Sequence, residues 1–163
     1  MDFSSFRFAH VSPLARSLFQ VDGVIRVFYG KDFISVTKKD EVDWKVLKPE
    51  VLGVITDHYS KGTPLFTEDV KMDSNDDTVI NDDDTECVAM IKEIIETRIR
   101  PFVKEDGGDV KYMGFDESKG LVTLQMKGSC AGCPSSAITL KNGIENMLKH
   151  YVAEVETVEA VDE

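Results

Sequence analysis

Residues 121–151 read LVTLQMKGSCAGCPSSAITLKNGIENMLKHY, and this stretch decides the fold of the second half of the chain. It opens with alternating apolar residues, a pattern that predicts a β-strand with one buried face. It closes with apolar residues at helical spacing, and Pro134 can occupy the first position of that helix. The stretch therefore predicts a strand, a glycine-rich loop and a helix, with Cys130 and Cys133 in the loop.

The flanking sequence predicts the rest of this domain. A helix comes first, capped by Asp84 or Thr85, and Pro101 is expected to kink or end it because proline lacks an amide donor. Its buried face is expected to carry four apolar residues: Val88, Ile91, Ile95 and Phe102. Strands over 109–115 and 121–127 follow, and 155–161 can add a short third strand. The predicted order is α-β-β-α-β.

The first third of the chain predicts a second small α+β unit. Ser12 is a typical helix cap and Pro13 follows it at the first helical position. Two β-rich runs, 24–29 and 33–37, are separated by a short turn and predict a hairpin. From Asp43 onward the apolar residues recur at helical spacing, which predicts a second helix.

Charge marks the boundary between the two units. The chain has 163 residues and a net charge of −11, and the segment 67–86 alone holds nine acidic side chains and one lysine. Like charges at that density repel one another and cannot form a core, so we expect a disordered spacer. The predicted fold class is α+β, with two small α/β sandwich domains, 1–66 and 87–163, joined by an acidic flexible linker at 67–86.

Composition excludes several classes of function. An acidic chain of pI about 4.7 is repelled by phosphate backbones, so a nucleic-acid partner is not expected. No apolar stretch approaches the roughly 20 residues of a membrane-spanning helix. Residues 1–10 lack the apolar core of a signal peptide and carry too few arginines for a transit sequence. A mature, a truncated and a cytosolic form all stay open.

The segment 127–136, KGSCAGCPSS, is the one with an evident chemical purpose. Two thiols separated by two residues can point the same way, and the start of a helix lowers the pKa of a nearby thiol such as Cys133. Amides of this helix start, and the hydroxyls of Ser129, Ser135 and Ser136, can donate hydrogen bonds to sulfur. A dithiol redox pair, a zinc site and an iron-sulfur site all use such a pair, and a buried structural pair is the fourth alternative.

The chain offers too few ligands for a complete metal site at this loop. A zinc ion or an iron-sulfur cluster usually takes four protein ligands, and the loop supplies two. The three histidines, His10, His58 and His150, show no ligand spacing, and Cys87 is expected to be a free thiol without a ligand role. A second copy of the chain is the simplest source of the other two ligands, and a shared site of this kind suits a protein that passes its cluster on.

Several motifs of the chain resemble a known family. Residues 90–151 closely resemble the C-terminal domain of NifU and of the Nfu-type iron-sulfur carriers, through IRP at 99–101, EDGGDV at 105–110 and LQMKGSC at 124–130. Residues 12–15, 21–24 and 47–49 are similar to the N-terminal domain that accompanies it in the eukaryotic mitochondrial Nfu scaffolds. Family members usually begin with a further extended strand, so the first domain is expected to lack an edge strand.

The resemblance implies a carrier, not an enzyme. It implies a [4Fe-4S] cluster held between two subunits by Cys130 and Cys133, and it leaves open whether a [2Fe-2S] form also occurs. It also implies upstream assembly factors as donors, and lipoyl synthase, aconitase-like enzymes and respiratory-chain subunits as recipients. Gly107, Gly108 and Gly128 are implied to be structural. The implied location is the mitochondrial matrix.

Overall fold

A computed structural model describes residues 1–67, 70, 75–131 and 134–161, with residues 75–76 and 134–137 described by their backbone alone. The chain divides into two compact units, Met1–Asp73 and Ser74–Glu163. Each unit has its own hydrophobic core and its own three-stranded sheet. The predicted α+β class with two small domains is confirmed.

The first unit is built on an antiparallel sheet in the order β1-β2-β3. The predicted hairpin is present as β2 (Val24–Tyr29) and β3 (Ile34–Lys38). A two-residue strand, β1 (Asp2–Phe3), occupies the edge at which we expect a missing strand. The Asp2 carboxylate accepts two hydrogen bonds from Arg26 at 2.7 and 2.8 Å, and Phe3 is buried, so this edge is held by both charge and packing.

Two helices cover this sheet. The helix α1 (Pro13–Phe19) begins as predicted, because the Ser12 hydroxyl accepts a hydrogen bond from the amide of Ala15 at 3.2 Å. The same hydroxyl lies 2.8 Å from the Tyr29 hydroxyl, which joins the start of α1 to β2. The helix α2 (Trp44–Ser60) lies where the apolar spacing predicts a helix, and the Asp43 side chain caps it.

The acidic segment differs from the predicted disordered linker in its second half. Residues 75–78 form a 3-10 turn, and Thr78 is buried in the second unit. The reason is a pair of cations that lie outside the segment and are therefore not included in its charge count. Lys92 and Arg100 lie on the helix that follows, are both buried, and bind carboxylates of this segment.

The helix at the start of the second unit continues through Pro101. It comprises α3 (Glu86–Ile94), a π-helical turn (Ile95–Ile99) and α4 (Arg100–Glu105), and Thr85 caps it as expected. Pro101 cannot donate a helical hydrogen bond, and the wider π turn lies directly before it. The extra residue of a π turn shifts the helix phase, so Val103 is buried where we expect Phe102, which is 47% exposed.

The second sheet has the order β4-β5-β6. The strands β4 (Gly108–Asp116) and β5 (Leu121–Gly128) are antiparallel, and β6 (Thr157–Val161) lies parallel to β5 after the helix α5 (Pro134–Tyr151). The predicted order α-β-β-α-β is therefore confirmed. The core between the sheet and the helices includes Ile91, Ile95, Ile99, Leu124, Ile144 and Leu148. Among the described residues, no helix is long and apolar enough to cross a membrane.

Candidate functional site

Cys130 lies in the turn that follows β5, inside the second unit. The strand ends at Gly128, whose φ of 64° is in the left-handed region that glycine adopts without strain. The amide of Ala131 then donates to the carbonyl of Gly128 at 3.2 Å and closes the turn. This turn directs Cys130 into the core, where the residue is only 4% exposed.

Gly108 provides the space that the Cys130 sulfur occupies. The register of the sheet pairs Gly108, the first residue of β4, with Gly128 at the end of β5. A Cβ atom at Gly108 would lie 2.1 Å from the Cys130 Sγ, closer than side chains can approach, and 3.0 Å from its Cβ, which is a tight contact. The position of the first candidate ligand therefore depends on a glycine from the neighbouring strand.

Hydrogen bonds hold the loop to the end of α4. The Ser129 hydroxyl donates to the carbonyl oxygen of Asp106, and the Ser129 amide donates to the carbonyl of Gly107 at 3.4 Å. The single proton of this hydroxyl is thus directed to a backbone carbonyl, and its expected role as a donor to sulfur stays a prediction. The side chains of Ser135 and Ser136, which share that prediction, lie outside the described part of the structure.

Burial governs the acidity of the Cys130 thiol. Loss of solvent raises its pKa to about 11, the neighbouring Ser129 hydroxyl acts in the opposite direction, and the carboxylates of Asp106 and Asp109 raise the pKa further. The thiol is therefore protonated near neutral pH. A metal must displace this proton when it binds, because the thiolate is the form that coordinates iron or zinc.

The second predicted ligand, Cys133, lies outside the described residues, and so does its expected low pKa at the helix start. The backbone of α5 begins at Pro134, as the sequence predicts. The ligand pair stays a prediction at this position. Of the two cysteines, Cys130 has a described position, between the end of β5 and the start of α5.

The remaining candidate ligands are dispersed. His10 is exposed and its Nδ1 lies 3.2 Å from the carbonyl of Arg7, while His58 is buried in the first unit. His150 lies at the end of α5, with its ring 4.8 Å from that of Tyr151. Cys87 is a half-buried free thiol against the second core. The described residues contain no cluster of three histidine, cysteine or acidic side chains that could hold a metal ion.

Two features of this site escape an analysis of the sequence. The first is the contact between Gly108 and the sulfur of Cys130, which depends on the register of β4 against β5. The second is Arg100, which is buried beside β4 and bound to Asp77 of the acidic segment. A signal for the second exists, since Lys92, Glu96 and Arg100 recur every four residues and so form a charged stripe along one side of the helix.

Two family models match the chain, and they divide it as the structure does. Residues 91–159 match the NifU-like domain. Residues 1–62 match the N-terminal domain of the Nfu/NifU scaffold proteins. The loop with Cys130 and Cys133 lies inside the first of these matches.

Curated relatives match over almost the whole chain. NifU-like protein 5, mitochondrial, of Arabidopsis thaliana is 58% identical over 97% of the chain and 57% of its own length. The NFU1 iron-sulfur cluster scaffold homolog, mitochondrial, of Drosophila ananassae is 52% identical over 98% of the chain and 54% of its length. The NifU-like protein C1709.19c of Schizosaccharomyces pombe is 54% identical over 90% of the chain and 56% of its own length. The chain thus spans just over half the length of these relatives.

Proposed function

Because the chain belongs to the NifU-like family, with an Nfu-type domain before the NifU-like one, we propose that it is an iron-sulfur cluster scaffold. In this proposal a [4Fe-4S] cluster is the cargo. Cys130 and Cys133 of two copies supply its four thiolate ligands, since soft thiolates are the donors that such clusters require. The chain then carries out no catalytic turnover of its own.

The observation that carries the proposal is the position of Cys130. Its sulfur lies against Gly108 at the junction of β5 and α5, within the segment that matches the NifU-like domain. Ser129 and the paired ends of β4 and β5 hold this junction in place. A thiol whose position is fixed by its neighbours in this way is suited to serve as one ligand of a cluster.

The competing function, a dithiol-disulfide oxidoreductase, is disfavoured by the burial of the Cys130 thiol. Attack on a disulfide requires a thiolate that can reach its target. Cys130 is 4% exposed, and its pKa is raised to about 11, so it is a poor attacking group near neutral pH. Coordination of a metal differs, since the metal itself drives loss of the proton.

The proposal extends to partners and location. The Drosophila relative is named an iron-sulfur cluster scaffold, and the Arabidopsis and Drosophila relatives are named mitochondrial. We place the chain in the mitochondrial matrix, as a dimer when it holds a cluster. We propose upstream assembly factors as its donors, and lipoyl synthase, aconitase-like enzymes and respiratory-chain subunits as its recipients. Whether it also holds a [2Fe-2S] cluster is a question for the reconstitution described next.

Anaerobic reconstitution with iron and sulfide tests the proposal. The products are separated by size-exclusion chromatography, and iron, sulfide and visible absorbance are measured on each peak. The expected product is a brown dimer with about four irons per two chains, the content of one [4Fe-4S] cluster held by four cysteines. About two irons per dimer would instead indicate the [2Fe-2S] form.

Cysteine variants provide the controls. Cys130→Ser and Cys133→Ser are each expected to abolish loading, whereas Cys87→Ser, which changes a thiol of the same chain outside the loop, is expected to load normally. A colourless dimer that contains zinc would replace the cluster with a structural zinc site. Equal loading of all three variants would remove the ligand assignment, and a metal-free monomer with a reversible disulfide would favour the oxidoreductase.

A further inference from the structure

A segment of the chain, residues 77–84, is bound across the second unit by two buried cations, and we call it the strap. Lys92 and Arg100 are each only 6% exposed. The Lys92 ammonium donates to the Asp84 carboxylate at 2.6 Å and to the carbonyl of Val79 at 2.9 Å. Both cations are buried, and a carboxylate of the strap stabilises each of them: Asp84 for Lys92 and Asp77 for Arg100.

Arg100 binds the beginning of the strap. Its Nη2 donates to both carboxylate oxygens of Asp77, at 2.8 and 2.9 Å, and its Nη1 donates to the Thr78 hydroxyl at 2.6 Å. Nη1 also donates to the carboxylate of Glu96, one turn earlier on the same helix. The planar guanidinium is suited to such multiple contacts, and its orientation is fixed by them.

Arg100 and Asp77 also hold the first half of β4. Arg100 Nη2 donates to the carbonyl of Val110 at 3.3 Å, and Arg100 Nε lies 3.4 Å from the Asp109 carboxylate, an ion pair without hydrogen-bond geometry. Asp77 accepts a hydrogen bond from the amide of Tyr112 at 2.6 Å. Asp77 and Arg100 together therefore fix β4 over residues 109–112.

This part of β4 directly follows the glycine that contacts the candidate ligand Cys130. Gly108, directly before Asp109, is the residue against which the sulfur of Cys130 lies. A displacement of the start of β4 would change this contact, because the sulfur occupies the space that a side chain at Gly108 would fill. The contacts thus run from Asp77 through Arg100 and the start of β4 to Cys130.

We propose that Asp77 is a positioning residue for the cluster site, acting through Arg100 on Gly108 and Cys130. The inference rests on the proposed scaffold function. It assigns a role to an acidic residue that the sequence places in a spacer. It predicts that loss of the Asp77 charge loosens the hold on a bound cluster even where the protein stays folded.

The test compares Asp77→Asn with Asp83→Asn in the full chain. Both changes remove one carboxylate from the acidic segment, and Asp83 is exposed, so it is a matched control. Each protein is loaded anaerobically, and the rate of cluster loss to an excess of an iron chelator is followed by visible absorbance. Asp77→Asn is expected to lose its cluster about tenfold faster, the lower end of the effect of outer contacts on metal sites. Asp83→Asn is expected to match the wild type.

Visible circular dichroism separates positioning from stability. This signal arises from the cluster and its thiolates, so a variant that is merely less stable keeps the wild-type spectrum while it is folded and loaded. Asp77→Asn is expected to change the spectrum. Asp77→Glu keeps the charge beside Arg100, and an intermediate rate from it supports the inference should Asp77→Asn fold poorly.

The outcomes distinguish this inference from the function on which it rests. Failure of both the wild type and Asp83→Asn to load would overturn the scaffold function, and this inference with it. A loaded wild type, together with the same release rate and the same spectrum in Asp77→Asn and Asp77→Glu, would overturn only the role of Asp77. A lower melting temperature with an unchanged spectrum would do so too, and would leave Asp77 as a structural residue.

Discussion

The absence of a side chain at Gly108 leaves the space in which the Cys130 sulfur lies. Gly108→Ala would place a methyl group 2.1 Å from that sulfur and 3.0 Å from the carbonyl oxygen of Lys127. The carbonyl oxygen belongs to the backbone of β5 and the sulfur is buried in the core, so we expect a loss of about 1–3 kcal/mol in the free energy of unfolding, as for other overpacked cores. Cluster loading is expected to fall as well, even under conditions in which the variant is still folded. Urea unfolding and iron content measure the two effects.

Gly143→Ala is the matched control for this change. Gly143 lies within α5, and an added Cβ would meet no atom within 4 Å. Alanine is a better helix former than glycine, so stability is expected to rise by up to about 1 kcal/mol with loading unchanged. Similar behaviour of the two alanine variants would contradict the role of Gly108 as the seat of Cys130.

At the scale of single elements, Glu145 joins α5 to β6. Its carboxylate accepts hydrogen bonds from the Val158 amide at 3.0 Å, the Thr157 hydroxyl at 3.2 Å and the Lys149 ammonium at 2.7 Å. The bond from Lys149, ahead of that from the Val158 amide, lowers the pKa of Glu145 from its usual 4.5 to about 2. A depressed pKa in the folded state stabilises the protein above pH 4.5, and this contribution is lost as the pH falls toward 2.

Glu145→Gln tests that link. We expect the variant to lose about 1 kcal/mol at pH 7, a reduced value because the carboxylate is partly exposed. Wild type and variant are then expected to converge in stability as the pH falls from 4.5 to 2. Chemical unfolding across this range measures the difference, and Glu159→Gln, an exposed change on β6, is the control. A difference that persists unchanged at pH 2 would contradict the assignment.

The elements also show where prediction from sequence succeeds and where it fails. Caps such as Ser12 and Thr85, the two hairpins and the final strand follow from local rules that require no knowledge of partners. The apolar period predicts the wrong face for Phe102, because a π turn changes the helix phase and the period alone does not reveal that turn. The seat of Cys130 needs the register of β4, which is a contact between distant residues.

For the whole molecule, the boundary of the second unit is the testable quantity. The charge pattern predicts that this unit begins at residue 87. The compact unit begins at residue 74, because Asp77 and Asp84 are bound to Arg100 and Lys92. A fragment 87–163 leaves both cations without these partners. We expect it to be less stable than a fragment 74–163 by about 3 kcal/mol, the effect of removing one partner of a buried ion pair.

Thermal and urea unfolding of the two fragments measure this difference. A 74–163 fragment with Asp82→Asn and Asp83→Asn is the control, since it loses two exposed carboxylates but keeps both ion pairs. It is expected to behave like the unchanged fragment. Equal stability of 87–163 and 74–163 would restore the boundary that the charge pattern predicts and would remove the structural role of residues 77–84.

The depth of Cys130 has a consequence for the protein when it carries no metal. Peroxide attacks thiolates that it can reach, and Cys130 is both buried and protonated near neutral pH. We expect hydrogen peroxide to convert it to sulfenic acid more slowly than it converts Cys87, which is only half-buried. Trapping of sulfenic acid followed by peptide mass spectrometry compares the two sites, and faster damage at Cys130 would contradict this. In the proposed function, a chain without a cluster would therefore keep this candidate ligand in its reduced thiol form.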